Sequence, residues 1–225
     1  MENAGAQVVS LYVVGSFLSN EMIASSDIDL VGIMKPNFDF RREARLNEIL
    51  NKTVHSKHRI DLGTMSYDEF FGGTRKGSVM RYIELPIFLN FLKRAKLIYG
   101  KRINFDKLPI KPASPEQELK YHLREFNRYK VEFRRRNAVG HNFSFSDFIK
   151  TIFYIANAEL QLTRHLTPKR GYTEIVRAFA KDKTHLVHYS MQLRRKKTIS
   201  PRDKRTWLNL AERYVAQMRT HVSKQ

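Results

Sequence analysis

The sequence predicts an α+β chain, with strands gathered in the first third and helices filling the second half. Three observations carry this. Short apolar runs within the first 65 residues are each broken by glycine or proline, the punctuation of strands rather than helices. From Tyr82 onward the apolar residues recur at helical spacing. Between the halves, residues 101–113 carry Pro109 and Pro112 and read as a linker, which divides the chain into domains 1–100 and 114–225.

Taken in order, residues 8–14 read as a strand that stops at Gly15-Ser16, and residues 28–34 as its antiparallel partner, ended by Lys35-Pro36. Residues 41–51 read as a helix with Leu46, Ile49 and Leu50 on one side and Asp39 as N-cap. Residues 58–65, HRIDLGTM, give a third strand that ends at Gly63. Ser66 and Glu69 fit a capping box for a short helix. The stretch 72–78, GGTRKGS, reads as a surface loop. A helix is then expected from Tyr82 to Tyr99, stopped by Gly100. Ser114-Pro115-Glu116-Gln117 supplies an N-cap, a first-turn proline and a capping-box glutamine for a helix reaching about residue 138. Further helices are expected at 146–166, 172–182 and 203–222, with 183–200 left open. Phe148, Phe153, Tyr154 and Trp207 read as core.

The formal net charge is +19, unevenly spread. Residues 1–100 hold 13 Lys and Arg against 11 Asp and Glu, whereas residues 101–225 hold 28 against 11, a net +17. Such a field favours a polyanion or a phosphate-rich partner and repels cations. Clusters such as Arg134-Arg135-Arg136 and Arg194-Arg195-Lys196-Lys197 are expected to meet a nucleic-acid backbone. There is no cysteine, which excludes disulfides and thiolate metal sites. The first ten residues do not read as a signal peptide, and no apolar run is long enough to span a bilayer, so a cytoplasmic protein is expected. The pairs His55/His58 and His185/His188 lack the neighbours that would complete a zinc site.

The chemistry concentrates in carboxylates set inside apolar runs. Asp27 and Asp29 are two residues apart on a strand and so share a face. Two carboxylates that close repel unless a cation or proton lies between them, and Mg²⁺ carrying a substrate phosphate suits them. Asp61, flanked by Ile60 and Leu62, adds a third. Asp27 and Asp29 can grip a metal that carries a triphosphate. Asp29 and Asp61 can hold a second, or Asp61 can act as general base. Gly15 permits close backbone approach, and Ser16 can donate to a phosphate.

These pieces, VVGS (13–16), SDIDLVG (26–32) and RIDLG (59–63), resemble the pattern of the DNA polymerase beta-like nucleotidyltransferase superfamily. The resemblance implies a small mixed sheet with flanking helices over roughly residues 8–100, followed by a helical domain. It also implies triphosphate binding at Gly15 and Ser16, and two Mg²⁺ ions at Asp27, Asp29 and Asp61. The second half resembles aminoglycoside and related adenylyltransferases in LQLTRHLTPKRGYTEIVRAFA (160–180), where Lys169 would be a phosphate contact. Two departures stand out. Phe17-Leu18-Ser19-Asn20 replace the arginine and glycine usual after Gly-Ser, and only seven residues precede the first strand, where the family has a leading helix. The expected activity is transfer of a nucleoside monophosphate from an NTP, ATP first, to RNA or another phosphorylated acceptor. Against it stand a non-catalytic regulatory or toxin–antitoxin-type partner and a structural nucleic-acid-binding protein.

Overall fold

Alternation along the first two apolar runs builds an antiparallel pair, β1 (Val8–Val14) with β2 (Ile28–Met34), Val14 opposite Asp29 and Val8 opposite Met34. The structure is a computed structural model describing residues 7–23, 26–72, 77, 79, 83–139, 144–169 and 171–222, apart from the side chains of 136–139, 221 and 222. It divides into two units, Met1–Ala113 and Ser114–Gln225.

In the first unit β2 leads through α1 (Glu43–Thr53) to β3 (Ile60–Ser66), which runs parallel to β2, as a helical crossover requires. The sheet order is β3-β2-β1-β4, and the sheet is mixed. Side chains alternate between its faces. Tyr12, Val31, Ile33 and Met65 meet Phe88, Leu89 and Leu92 of α2 (Leu85–Arg94) on one side. Val13, Leu30, Ile60 and Leu62 form the other layer, against Leu46 and Leu50 of α1. Asp39 does cap, accepting from Arg41 N–H, but it opens a 3₁₀ turn, Phe40–Arg42, that runs into α1. The capping box at Ser66 and Glu69 is formed, and its helix is a 3₁₀ turn, Tyr67–Phe71. Of the loop 72–78, residues 73–76 and 78 lie outside the described residues; Gly77 N–H donates to Glu69 at 3.0 Å.

α1 also closes the outer edge of β3. Asn47 donates to the Leu62 carbonyl at 2.8 Å and accepts from Leu62 N–H at 2.7 Å. One turn on, Asn51 does the same for Ile60, at 2.7 and 2.8 Å. One turn back, the Glu43 carboxylate accepts from Thr64 N–H at 2.9 Å and from its hydroxyl. The spacing of four residues on the helix matches alternate residues of the strand. Three side chains thus stand in for a missing fifth strand, one of the ways proteins cover a sheet edge.

The expected helix from Tyr82 to Tyr99 is corrected. Tyr82 lies outside the described residues, α2 stops at Arg94, and Ala95 is extended. Lys96–Gly100 is instead β4, antiparallel to β1, with Val13 opposite Lys96 and Ser10 opposite Gly100. The reason is tertiary: β1 pairs with β2 on one side only, and LIY suits a pleated edge as well as a helix. Gly100 does end the element, at φ +80°, where an added Cβ would strike the Val9 carbonyl. The segment 101–113, expected as a linker, packs within the first unit. Ile103 and Leu108 are buried, and Tyr12 Oη accepts from Ile103 N–H at 2.9 Å.

The second unit is helical: α3 (Pro115–Val139), α4 (Phe145–Arg164), α5 (Tyr172–Ala178), α6 (Leu186–Arg195) and α7 (Pro201–Val222). Ser114 and Gln117 cap α3 reciprocally, at 3.3 and 2.8 Å. Trp207 is fully buried against Phe145 and Phe148 and donates to Ser190 at 2.9 Å. Phe153 is also core, and Tyr154 is half-buried. The open stretch 183–200 contains α6, capped by His185, which stacks on Phe179 and meets Glu159 at 3.3 Å. Burial, and then the Glu159 carboxylate, push the Tyr214 hydroxyl well above the ordinary tyrosine value. Two expected backbone contacts have partners within the unit, one buried and one exposed. Arg194 is buried, its guanidinium over the Tyr172 ring, and Arg134 pairs with Glu212 at 2.8 Å. No helix among the described residues is long and apolar enough to cross a membrane.

Asn47→Ala strips two partners from the backbone of buried Leu62 and is expected to destabilise the first unit by about 1–3 kcal/mol, read as a lower urea midpoint at constant m. An unchanged midpoint would mean that water replaces the amide without loss. Trp207→Ala should destabilise the second unit by about 3–5 kcal/mol.

Candidate active site

At the end of β1 the chain turns at Gly15, with φ +75°, into a 3₁₀ turn, Gly15–Phe17. A Cβ on Gly15 would lie 2.5 Å from Oδ2 of Asp29, so the Asp29 carboxylate occupies the space a side chain would need. The following loop is closed by its own hydrogen bonds: Leu18 N–H to Gly15 at 3.2 Å, Asn20 N–H to Phe17 at 3.3 Å and Glu21 N–H to Ser16 at 3.0 Å. The Ser19 hydroxyl donates to the Ser16 carbonyl at 3.2 Å. Phe17 and Leu18 point outward, both exposed.

Asp27 stands one residue before β2. Its corner is tied on both sides, because Ile28 N–H donates to the Arg59 carbonyl at 2.8 Å and His58 Nδ1 meets the Ser26 carbonyl at 2.9 Å. Asp29 follows inside β2, in register with Val14 on one side and Asp61 on the other. Adjacent strands lie about 4.8 Å apart, so Asp29 and Asp61 are immediate cross-strand neighbours. Alternation puts Asp27, Asp29 and Asp61 on the face of Val31, Ile33 and Met65, beyond the end of that apolar cluster. Asp61 is exposed, and the other two are half-buried.

The three carboxylates are not drawn into one ready-made cage: among the described residues no three His, Cys, Asp or Glu side chains form a metal-holding group. The Asp29–Asp61 pair still fits Mg²⁺, a hard cation that takes one or two carboxylates and fills its other positions with phosphate and water. His55, His58, His185 and His188 likewise form no metal group among the described residues. Lys169 belongs to the second unit, in the turn after α4. Its backbone is held by Asn157, which accepts from Lys169 N–H at 2.9 Å and donates to its carbonyl at 3.3 Å.

Asn47, Asn51 and His58, which hold the strand and corner bearing Asp61 and Asp27, are not residues that the sequence marks for the site. For the asparagines the available signal was an i, i+4 pair of amides beside the apolar side of α1. Gly15→Ala is expected to destabilise the first unit by about 1–2 kcal/mol, since it forces a side chain into the left-handed region and onto Asp29. Denaturant titration measures this, and an unaltered midpoint would mean that the turn relaxes freely.

A nucleotidyltransferase domain family model matches residues 2–85. No curated protein matches the chain. Among solved structures, the crystal structure of spectinomycin adenyltransferase AAD(9) from Enterococcus faecialis with ATP and spectinomycin matches at a TM-score of 0.62. The two share 13% identity, over 99% of this chain and 94% of that one, a likeness of fold. Residues 2–85, with strands β1, β2 and β3 in a mixed sheet and Asp29 beside Asp61, thus match a nucleotidyltransferase domain, and the chain as a whole shares its fold with an adenyltransferase.

Proposed function

We propose that the chain catalyses Mg²⁺-dependent transfer of a nucleoside monophosphate from an NTP, ATP first among them, to an acceptor hydroxyl or phosphate on RNA or another phosphorylated molecule, releasing pyrophosphate. The observation that carries this reading is the register of Asp29 with Asp61, with Gly15 packed on the Asp29 carboxylate. Asp27 and Asp29 would hold the ion bound to the triphosphate, and Asp29 and Asp61 a second. Bound there, Mg²⁺ would supply positive charge to the entering and leaving oxygens.

The chain's own groups do the rest. Gly15 lets its backbone approach the triphosphate, and the Ser16 hydroxyl donates to a β- or γ-phosphate oxygen. The acceptor oxygen attacks the α-phosphorus, the bond from that phosphorus to the oxygen bridging to the β-phosphate breaks and pyrophosphate leaves, and where the acceptor is a hydroxyl Asp61 would take its proton. Lys169 would be a further phosphate contact, as the resemblance to the adenylyltransferases implies. ATP in the solved neighbour supports the choice of nucleotide. The acceptor class rests on charge: a net +17 over residues 101–225 attracts phosphate groups and repels cationic acceptors.

Incubation with each α-labelled NTP, Mg²⁺ and, in turn, total RNA, protein or small phosphorylated metabolites tests the reading. Label is expected in the RNA or phosphorylated fraction, with Asp29→Asn and Asp61→Asn each lowering the rate by at least about 10²-fold. Label that survives Asp29→Asn would overturn the site. Absence of label from every fraction would favour a partner protein that keeps the fold without turnover.

A further inference from the structure

α7 is amphipathic in an unusual way. One side is anchored by buried Trp207, Ala211, Tyr214, Val215 and Met218, which fixes the helix on the second unit. The opposite side presents Arg202, Arg205, Asn209 and Arg213, all exposed. At 1.5 Å per residue, Arg202 to Arg213 spans about 16 Å.

The acids of this helix do not offset its arginines, because other elements already claim them. Asp203 takes Lys196 at 2.8 Å, and Glu212 takes Lys130 at 3.3 Å and Arg134 at 2.8 Å. Arg202, Arg205 and Arg213 form no ion pair among the described residues. The Lys196–Asp203 pair and the Ser200 cap, 3.0 Å from Asp203 N–H, also pin the α6–α7 corner, where Arg195 and Lys197 are exposed. α3 differs: its Arg128 is held by Glu125 at 2.6 Å and its Arg134 by Glu212.

A second observation narrows the ligand. Among the described residues of the second unit no Phe, Tyr or Trp side chain is exposed and His165 is the one exposed ring, on the turn after α4 and not on α7, whereas Phe17, Phe71 and Tyr99 are exposed in the first. Single-stranded RNA is usually gripped by stacking its bases on aromatic rings, and double-helical RNA through its shape and phosphates. A stripe about 16 Å long covers a length of duplex axis over which one strand carries about five phosphates.

We infer that the outer face of α7, continued by Arg195 and Lys197, is a docking surface for the phosphate backbone of double-helical RNA, recognised without regard to sequence. The inference rests on the phosphorylated-acceptor reading above and names the form of that acceptor. The arginines contact phosphate oxygens, Asn209 supplies a neutral donor between them, and no base edge is read.

The test titrates labelled hairpin RNA and labelled oligo(U) into the full chain over a range of salt. Wild type should bind hairpins of unrelated sequence equally and oligo(U) at least about tenfold more weakly. Arg202→Glu/Arg205→Glu/Arg213→Glu should weaken hairpin binding at least about tenfold and reduce the log–log salt slope by between about 2 and 3. A control with the same charge change elsewhere on the unit, Arg177→Glu/Lys181→Glu/Lys183→Glu, should change affinity by less than about threefold. The three-glutamine variant at 202, 205 and 213 serves if the glutamate variant fails to fold by circular dichroism. Equal weakening by α7 variant and control, or preference for oligo(U), would overturn the surface while leaving RNA as acceptor. Absence of RNA binding by wild type would overturn both, and label transfer from NTP would report separately on the reaction.

Discussion

The site depends on the pairing of β2 with β3. Their parallel register puts Asp29 beside Asp61, and the period of two along a strand makes that register all-or-none. A slip of one residue in β3 would turn Asp61 to the α1 face and bring Ile60 or Leu62 among the carboxylates. The two apolar layers oppose such a slip, and so does the edge ladder of Glu43, Asn47 and Asn51, because those side chains fit only the backbone groups of residues 60, 62 and 64. Amides outside the carboxylate cluster therefore fix where Asp61 stands. On the other flank, Gly15 contributes by having no side chain, so that β1 ends flush against Asp29.

The two units solve opposite electrostatic problems. The first keeps negative charge together, on strand positions where the backbone dictates spacing. The second engages its acids locally: Asp203, Asp147 and Glu125 each pair with one cation and Glu212 with two, which leaves a surplus of positive charge on other faces. Its aromatic residues, meanwhile, are drawn inward around Trp207, Phe148 and Phe145. A basic protein of this kind holds itself together with rings and meets its surroundings with charge.

Much of this was legible in sequence, for local reasons. The bounds of β1 and β2 follow from apolar runs cut by Gly15 and by Pro36, and the caps at Asp39, Ser66 and Ser114 follow from side chains that bond their own neighbours. What was not legible is non-local. Lys96–Gly100 continues the apolar pattern of α2, and only the vacant flank of β1, some 85 residues earlier, makes it a strand. Asn47 and Asn51 look like solvent-facing positions until β3 arrives beside them. Arg194 sits in a run of four cations that reads as surface, yet it is buried over Tyr172, because α6 must present one side to the core. Within the site, the residue types and spacing named the three carboxylates and Gly15. The corner held by His58 depended on a contact 32 residues away.

The sealed edge of β3 also makes the sheet one-sided in its capacity to grow. Strands add to sheets through unpaired backbone groups. Along β3, side chains of α1 already occupy those groups at residues 60, 62 and 64. The other margin is β4, where Lys96, Ile98, Tyr99 and Gly100 are exposed. Self-association by strand addition, whether in a crowded cell or during concentration of the protein, is thereby steered to the margin two strands away from β2. The carboxylate edge stays closed to it, with Lys96 as the local deterrent at the margin that remains.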